Sequence, residues 1–203
     1  MSFYARRVLP HIIDLAMKNK DATRLPWIPL ARGEVLEIGI GSGLNLPFYS
    51  TQVERVYGVE PCFALQEMAR RKETAGRTNV EFLSQSAEDP LPLLDQSIDT
   101  IVMTWTLCSI PDAPKALAQM KRVLKAHSRL LFIGHGRAPD PSVVAWQDRF
   151  TPIWKKIGGG CHLNRKIDQL IASAGFQIGE LKTHYLPGPR PMTYTYQGFA
   201  VSM

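Results

Sequence analysis

Between Val35 and Leu46 the chain reads Val-Leu-Glu-Ile-Gly-Ile-Gly-Ser-Gly-Leu-Asn-Leu, so Glu37 leads three glycines, Gly39, Gly41 and Gly43, at alternate positions. A buried strand that ends in this way lets the backbone turn sharply and approach a ligand at the carboxyl edge of a sheet. Glu60 follows about twenty residues later, where a carboxylate accepts hydrogen bonds from both hydroxyls of a ribose. The spacing narrows the ligand. A dinucleotide fingerprint, G-x-G-x-x-G, needs a third glycine where this chain has Leu44 or Leu46. Glu37 beside the loop would repel a pyrophosphate but suits an ammonium group, so a nucleoside with a cationic amino-acid tail fits better than phosphates.

These residues must be carried by elements that hold them at one edge. From Gly33 onward short β-branched or apolar runs alternate with longer helical patterns, the signature of βαβ units and a parallel sheet. Strands are expected at Glu34 to Ile38, Arg55 to Val59, Val80 to Leu83, Ile98 to Met103 and Arg129 to Ile133. Helices are expected at Phe63 to Ala75, Pro114 to Lys125, Ser142 to Ile157 and Lys166 to Ala174. Asp112 is a good N-cap, the stripe Leu117, Met120, Val123, Leu124 should cover the sheet, and Gly175 reads as a C-cap. Phe176 to Tyr185 and Tyr194 to Val201 alternate and should pair antiparallel at one edge. Before them all, Phe3, Val8, Ile12, Leu15 and Ala16 suggest a helix packed on the body, interrupted by Pro10. Its basic residues Arg6, Arg7, Lys18 and Lys20 make a membrane-surface helix the rival reading. Leu25-Pro26-Trp27-Ile28-Pro29 reads as an extended connector. Residues 1–32 are thus a helical cap and connector, and 33–203 the ligand-binding unit of a single domain.

The 203 residues carry 24 Lys and Arg against 18 Asp and Glu, a formal charge of +6. The basic residues are scattered, which favours a solvated surface over a polyanion site. Three cysteines, Cys62, Cys108 and Cys161, show no CxxC spacing, so neither a disulfide framework nor a structural metal is expected. With no signal-peptide pattern, the expected location is the cytoplasm.

Glu37-x-Gly39-x-Gly41-x-Gly43 followed by Glu60 resembles the first motifs of class I S-adenosylmethionine-dependent methyltransferases. Ser86-Ala87-Glu88 after the third strand, Asp95-x-Ser97-x-Asp99 before the fourth and Val123-Leu124-Lys125 before the fifth match further segments of that family. The resemblance implies an α/β, Rossmann-like, doubly wound seven-stranded sheet, mostly parallel, with an antiparallel C-terminal edge hairpin. It also implies S-adenosyl-L-methionine as cofactor. Glu37 would then hold the ammonium, Gly39, Gly41, Gly43 and Asn45 the loop, Glu60 and Pro61 the ribose, and Ser86, Ala87 and Glu88 the adenine, with Thr104 and Trp105 at the reacting end. Ser86 stands where many members have Asp, and Lys125-Ala126-His127-Ser128 replaces the usual Pro-Gly-Gly turn.

The loop after the fourth strand, Thr104-Trp105-Thr106-Leu107-Cys108-Ser109, lacks the [Asp/Asn]-Pro-Pro-aromatic pattern of nucleic-acid amine methylation, and no aromatic-interleaved basic stripe suggests RNA. A small acceptor is left. That loop, His135, Trp146-Gln147, Gly160-Cys161 with Leu163, and Tyr196-x-Gly198-x-Ala200 are similar to the methyltransferase-like 7 group, the thiol S-methyltransferases. Gly134 and His162 depart from that group's pattern. The resemblance implies a thiol acceptor, hydrogen sulfide or an alkyl thiol, with Cys161 beside it; because a free thiol has a pKa of about 8.5, a neutral histidine near the sulfur could take its proton, and His135 is the candidate base. For His135, closing the strand-end turn is an equal alternative, and Cys108 reads as core packing. Two rival functions stand beside this one: methylation of a lipid head-group or small amine, and cofactor binding without turnover. Arsenite methylation is a further option, but Cys62 is expected to point away from the site.

Overall fold

The computed structural model describes residues 4, 7–73 and 78–203. Phe3, Arg6 and the expected end of the first long helix at Ala75 lie outside them. In chain order the elements are α1 (Leu9–Lys18), α2 (Asp21–Arg24), β1 (Gly33–Ile38), β2 (Val53–Val59), α3 (Phe63–Glu73), β3 (Val80–Leu83), β4 (Ile98–Thr104), α4 (Ala113–Val123), β5 (Leu124–His135), α5 (Pro141–Ile157), α6 (Ile167–Ser173), β6 (Phe176–Tyr185), α7 (Arg190–Thr193) and β7 (Tyr194–Ser202).

The strands form one seven-stranded sheet in the order β3-β2-β1-β4-β5-β7-β6. The first five are parallel, and β7 runs antiparallel to both β5 and β6. The fold class and the edge hairpin are as expected from sequence. Val35, Val102 and Leu131 pack on one face, and Leu36, Ile101 and Leu130 on the other. Both faces are therefore covered, which is why these strands read as continuous apolar runs. Leu117, Met120 and Val123 of α4 join the second face as their spacing predicted, and Asp112 caps that helix by accepting from the Lys115 amide at 3.0 Å.

Several boundaries differ. Pro10 does not interrupt α1 but sits in its first turn, where its missing N–H costs nothing. The stripe around α1 is also rotated from the expected one: Val8, Ile12 and Leu15 are exposed, while Leu9, Pro10, Met17 and the partly exposed Ile13 line a cavity. The connector is not extended, because residues 28–30 wind into a 3₁₀ turn that buries Trp27 and Ile28. Trp27 Nε1 donates to Gln197 Oε1 on β7 at 3.1 Å. Helix α4 stops before Leu124, which turns extended and pairs with Ile98, so β5 begins five residues earlier than its apolar run. His127, at φ +60, takes up the irregularity in that register. Among the described residues no helix is long and apolar enough to cross a membrane.

Candidate active site

Parallel register brings the carboxyl ends of β1, β2 and β4 to one edge, with Ile38 opposite both Val59 and Met103. Over that edge lies a cavity of about 480 Å³, roofed by α1 and lined from below by Gly39 to Ser42, Leu44, Asn45, Glu60 to Cys62 and Thr104 to Thr106. Ser109, Ile110, Pro111, Gly158 and Gly159 close its far side. The hydroxyl of Ser42 donates to Asp14, which also pairs with Lys72 at 3.3 Å, so α1 is fastened directly to the glycine loop.

The three glycines do different work. Gly39, Gly41 and Gly43 all have positive φ, +69°, +55° and +76°. A Cβ on Gly39 would run into the Thr106 side chain, and one on Gly43 would lie 2.9 Å from Leu46 Cδ1 and 3.1 Å from Ala69 on α3. At Gly41 the nearest atom would be the Gly39 carbonyl oxygen, 3.8 Å away, so the space beside it belongs to the cavity.

Glu60 is buried and fixed by two backbone amides: Oε2 accepts from Gly41 at 3.2 Å and Oε1 from Cys62 at 2.9 Å. Burial pushes its pKa up, and those two donors oppose the push. Cys62, expected to point away, is part of this lining.

Glu37 is 1% exposed and does not line the cavity. Its Oε1 accepts from Asn45 Nδ2 at 2.8 Å and its Oε2 from the Tyr49 hydroxyl at 2.6 Å. Burial pushes its carboxyl up to about 7 against the opposing effects of Tyr49, Asn45 and Arg24. Glu37, expected to meet an ammonium, thus stands behind the lining with Asn45 and Tyr49 each donating to one of its oxygens. Asn45 is the intermediary. It lines the cavity, its Nδ2 also donates to Thr104 Oγ1 at 2.9 Å, and its Oδ1 accepts from Arg24 Nε at 3.0 Å.

Sequence reading missed Arg24. It is 2% exposed, lines the cavity, donates through Nη1 to the Met17 carbonyl at 3.0 Å and stands 5.0 Å over the Trp105 ring. Trp105 holds a left-handed φ of +51° while its amide donates to Ile133 O at 2.6 Å. A bulky residue in that region costs energy, and such strain gathers at ligand sites. No local signal marks Arg24, because one arginine in a short polar helix looks like surface.

Ser86, Ala87 and Glu88 lie outside the cavity lining. Ser86 Oγ donates to Glu88 Oε2 at 3.0 Å, and Glu88 Oε1 accepts from the Asp112 amide at 2.7 Å, so the segment ties the β3–β4 connection to the start of α4. His135 and Cys161 are also outside the lining and do not face the cavity. His135 Nε2 and Cys161 Sγ are 2.8 Å apart, and Cys108 completes a cluster whose donor atoms lie within 4.8 Å of one another. The cause is β5, which carries His135 one strand beyond β4 and into contact with the loop after α5. Within the cluster the Cys161 hydrogen bond holds the Cys108 thiol well below its ordinary range, and the same contact pushes Cys161 up. Burial lowers His135, but the charge and the hydrogen bond of Cys108 together outweigh it and raise His135 overall.

A profile described as "Methyltransferase domain" matches residues 36–132. Human thiol S-methyltransferase TMT1B is 34% identical over 180 residues, 85% of this chain and 71% of its own length. The chain belongs to the class I S-adenosylmethionine-dependent methyltransferases. The match to rat TMT1B, 34% over 161 residues, spans 76% of this chain but only 64% of that relative's length. A phosphatidylethanolamine N-methyltransferase from Cereibacter sphaeroides is 32% identical over 157 residues, covering 77% of the chain and 75% of the relative. In fold the methyltransferase is like a Haloferax volcanii methyltransferase solved with the activator Trm112, with a TM-score of 0.71 and 16% identity over 98% and 96% of the two chains. Its cofactor is S-adenosylmethionine, and the cavity offers a fixed carboxylate at Glu60, an open backbone at Gly41 and a buried guanidinium at Arg24.

Proposed function

We propose that the protein methylates a small thiol. The observation that supports this reading is the 34% identity with human thiol S-methyltransferase TMT1B over 180 residues, 85% of this chain. The cavity lining combines polar groups, Glu60, Arg24 and Asn45, with apolar side chains from Leu9, Ile13, Met17, Ile110 and Pro111.

The bound cofactor supplies an electrophilic methyl group on a cationic sulfur. Glu60 accepts from the ribose hydroxyls, and Arg24 pairs with the methionine carboxylate while Asn45 keeps its guanidinium in plane. Glu37 acts through Asn45 as a positioning residue. Leu9, Ile13 and Met17 give the acceptor an apolar surface to lie against. That matters because a thiolate attacking a sulfonium methyl forms one S–C bond, breaks another and turns opposite charges into neutral products. A dry surrounding favours such charge collapse. A free thiol ionises near a pKa of about 8.5, so enough thiolate exists near neutrality for proximity to supply much of the rate without a dedicated base.

The test is a panel of acceptors scored by release of S-adenosylhomocysteine. Turnover of hydrogen sulfide or alkyl thiols supports the reading, and turnover of amines or phenols with none of thiols overturns it. The similarity to the Cereibacter phosphatidylethanolamine enzyme favours one second reading, a lipid head-group amine. Vesicles containing phosphatidylethanolamine belong in the same panel, where methylated lipid without thiol turnover would select it.

A further inference from the structure

Three soft donors converge behind the cavity from parts of the chain far apart in sequence. Cys108 lies in the loop after β4, His135 at the end of β5 and Cys161 in the loop after α5. The two cysteines are 2% and 5% exposed. Leu163 packs with them, and Trp154 and Met192 complete an apolar shell. The loops that carry them are joined by other bonds. The His162 amide donates to the Cys108 carbonyl at 2.8 Å, and Arg165 donates from Nη1 to the Leu107 and Ile110 carbonyls and from Nη2 to Pro111 O at 3.1 Å. The cluster is thus held in place by contacts that do not use its own donor atoms.

Core packing explains one buried cysteine, but not two thiols and an imidazole with their reactive atoms all turned to one point within 4.8 Å. A metal with M–S of about 2.3 Å and M–N of about 2.0 Å, in trigonal or tetrahedral geometry, sets its donors about 3.5–4.0 Å apart. The separations here, 2.8 Å for His135 to Cys161 and no more than 4.8 Å for any pair, bracket that range. Closing on an ion needs side-chain adjustment rather than loop movement. Thiolate and imidazole select thiophilic d¹⁰ ions over magnesium or calcium.

We propose that Cys108, His135 and Cys161 form a binding site for one thiophilic ion, zinc(II) or copper(I). Two thiolates and a neutral imidazole make the zinc form electrically neutral, as a buried site requires. The copper(I) form carries one negative charge, which the Arg165 guanidinium across the loop offsets. Copper(I) is satisfied by three donors. Zinc takes a fourth, and the Ser109 hydroxyl, 3.6 Å from Cys108 Sγ and part of the cavity lining, stands on the side from which it or a water would come. The ion would fasten the β4–α4 loop and the α5–α6 loop together beside the cavity. The proposal does not rest on which acceptor is methylated.

The experiment uses the full chain, reduced and free of metal, under argon. Cobalt(II) is titrated as a zinc probe, then displaced with zinc(II), and copper(I) is measured separately by competition with bathocuproine disulfonate. One equivalent is expected, with thiolate-to-cobalt charge-transfer bands that zinc abolishes, or copper(I) retained against the chelator without a cobalt site. Cys108→Ser and Cys161→Ser should each weaken binding by roughly 100-fold or more, beyond what loss of an outer-shell partner costs, while Cys62→Ser retains it. Absence of a stoichiometric ion, or affinity unchanged in Cys108→Ser, overturns the proposal. Should the serine variants not fold, X-ray absorption of the loaded wild-type protein decides: a two-sulfur shell with one imidazole supports the site, and an all-oxygen and nitrogen shell overturns it.

Discussion

Arg24 Nε donates to Asn45 Oδ1 across 3.0 Å, and this bond joins the helical cap to the glycine loop inside the cofactor cavity. The guanidinium is buried, braced by Met17 O, paired through Nη1 with Asp21 at 3.5 Å and stacked over Trp105, so it is held in one orientation. Replacing Arg24 by Met keeps the stem packing and removes the charge. Hydrogen bonds to charged partners contribute about 1.5–3 kcal/mol, so cofactor affinity should fall by roughly 10- to 100-fold in calorimetry. Arg24→Lys, which keeps charge but loses the planar fork, should recover only part. Affinity unchanged in Arg24→Met would remove Arg24 from the site.

The carboxyl of Glu37 makes stability depend on pH in an unusual direction. Its pKa rises from 4.5 to about 7 on folding. Between those values the folded protein holds a proton that the unfolded chain has released, so stability is greatest below about pH 4.5 from this group and falls as pH rises toward 7. A shift of this size corresponds to about 3 kcal/mol, an order-of-magnitude figure. Denaturant unfolding of the cofactor-free protein across that window should show the decline. Glu37→Gln should flatten it, and should also weaken cofactor binding because Asn45 loses its anchor. A slope identical in wild type and variant would show that Glu37 is charged in both states.

The acceptor end should discriminate by size. Ile13 and Met17 project from α1 into the cavity. Burial of each methylene is worth about 0.8 kcal/mol, so Ile13→Ala should raise KM for an alkyl thiol several-fold and leave hydrogen sulfide turnover nearly unchanged. Equal effects on both acceptors would place Ile13 in the structure of α1 alone.

The strands and the glycine loop were legible because each is written locally: continuous apolar runs for strands buried on both faces, and alternate glycines where the chain must turn at the sheet edge. Asp112 and Gly175 announced their helix ends for the same reason, through capping chemistry that needs no distant partner. What failed to show depended on tertiary contacts. Arg24 is buried only because Asn45, Met17 and Trp105 surround it. His135 is turned away from the cavity because β5 delivers it to Cys161 instead. Glu37 lies outside the cavity lining because Asn45 and the hydroxyl of Tyr49, twelve residues on, hold its carboxylate, a pairing that only the folded chain makes.

The glycine loop allows packing and binding to be separated. Alanine at Gly41 meets no atom nearer than 3.8 Å, so its cost to folding is the left-handed backbone alone, about 1–2 kcal/mol. Its methyl group, however, occupies space that opens on the cavity. Alanine at Gly39 carries the same backbone cost and also collides with Thr106, and at Gly43 it presses on Leu46 and Ala69, so these two should lower the melting temperature more. The expected pattern is therefore crossed: Gly41→Ala loses the most cofactor affinity for the least stability, and Gly43→Ala loses stability while its folded fraction still binds. Thermal melts with and without S-adenosylhomocysteine measure both quantities in one experiment. A ligand-induced shift in Gly41→Ala as large as in the wild type would mean that the cofactor does not approach the loop at Gly41.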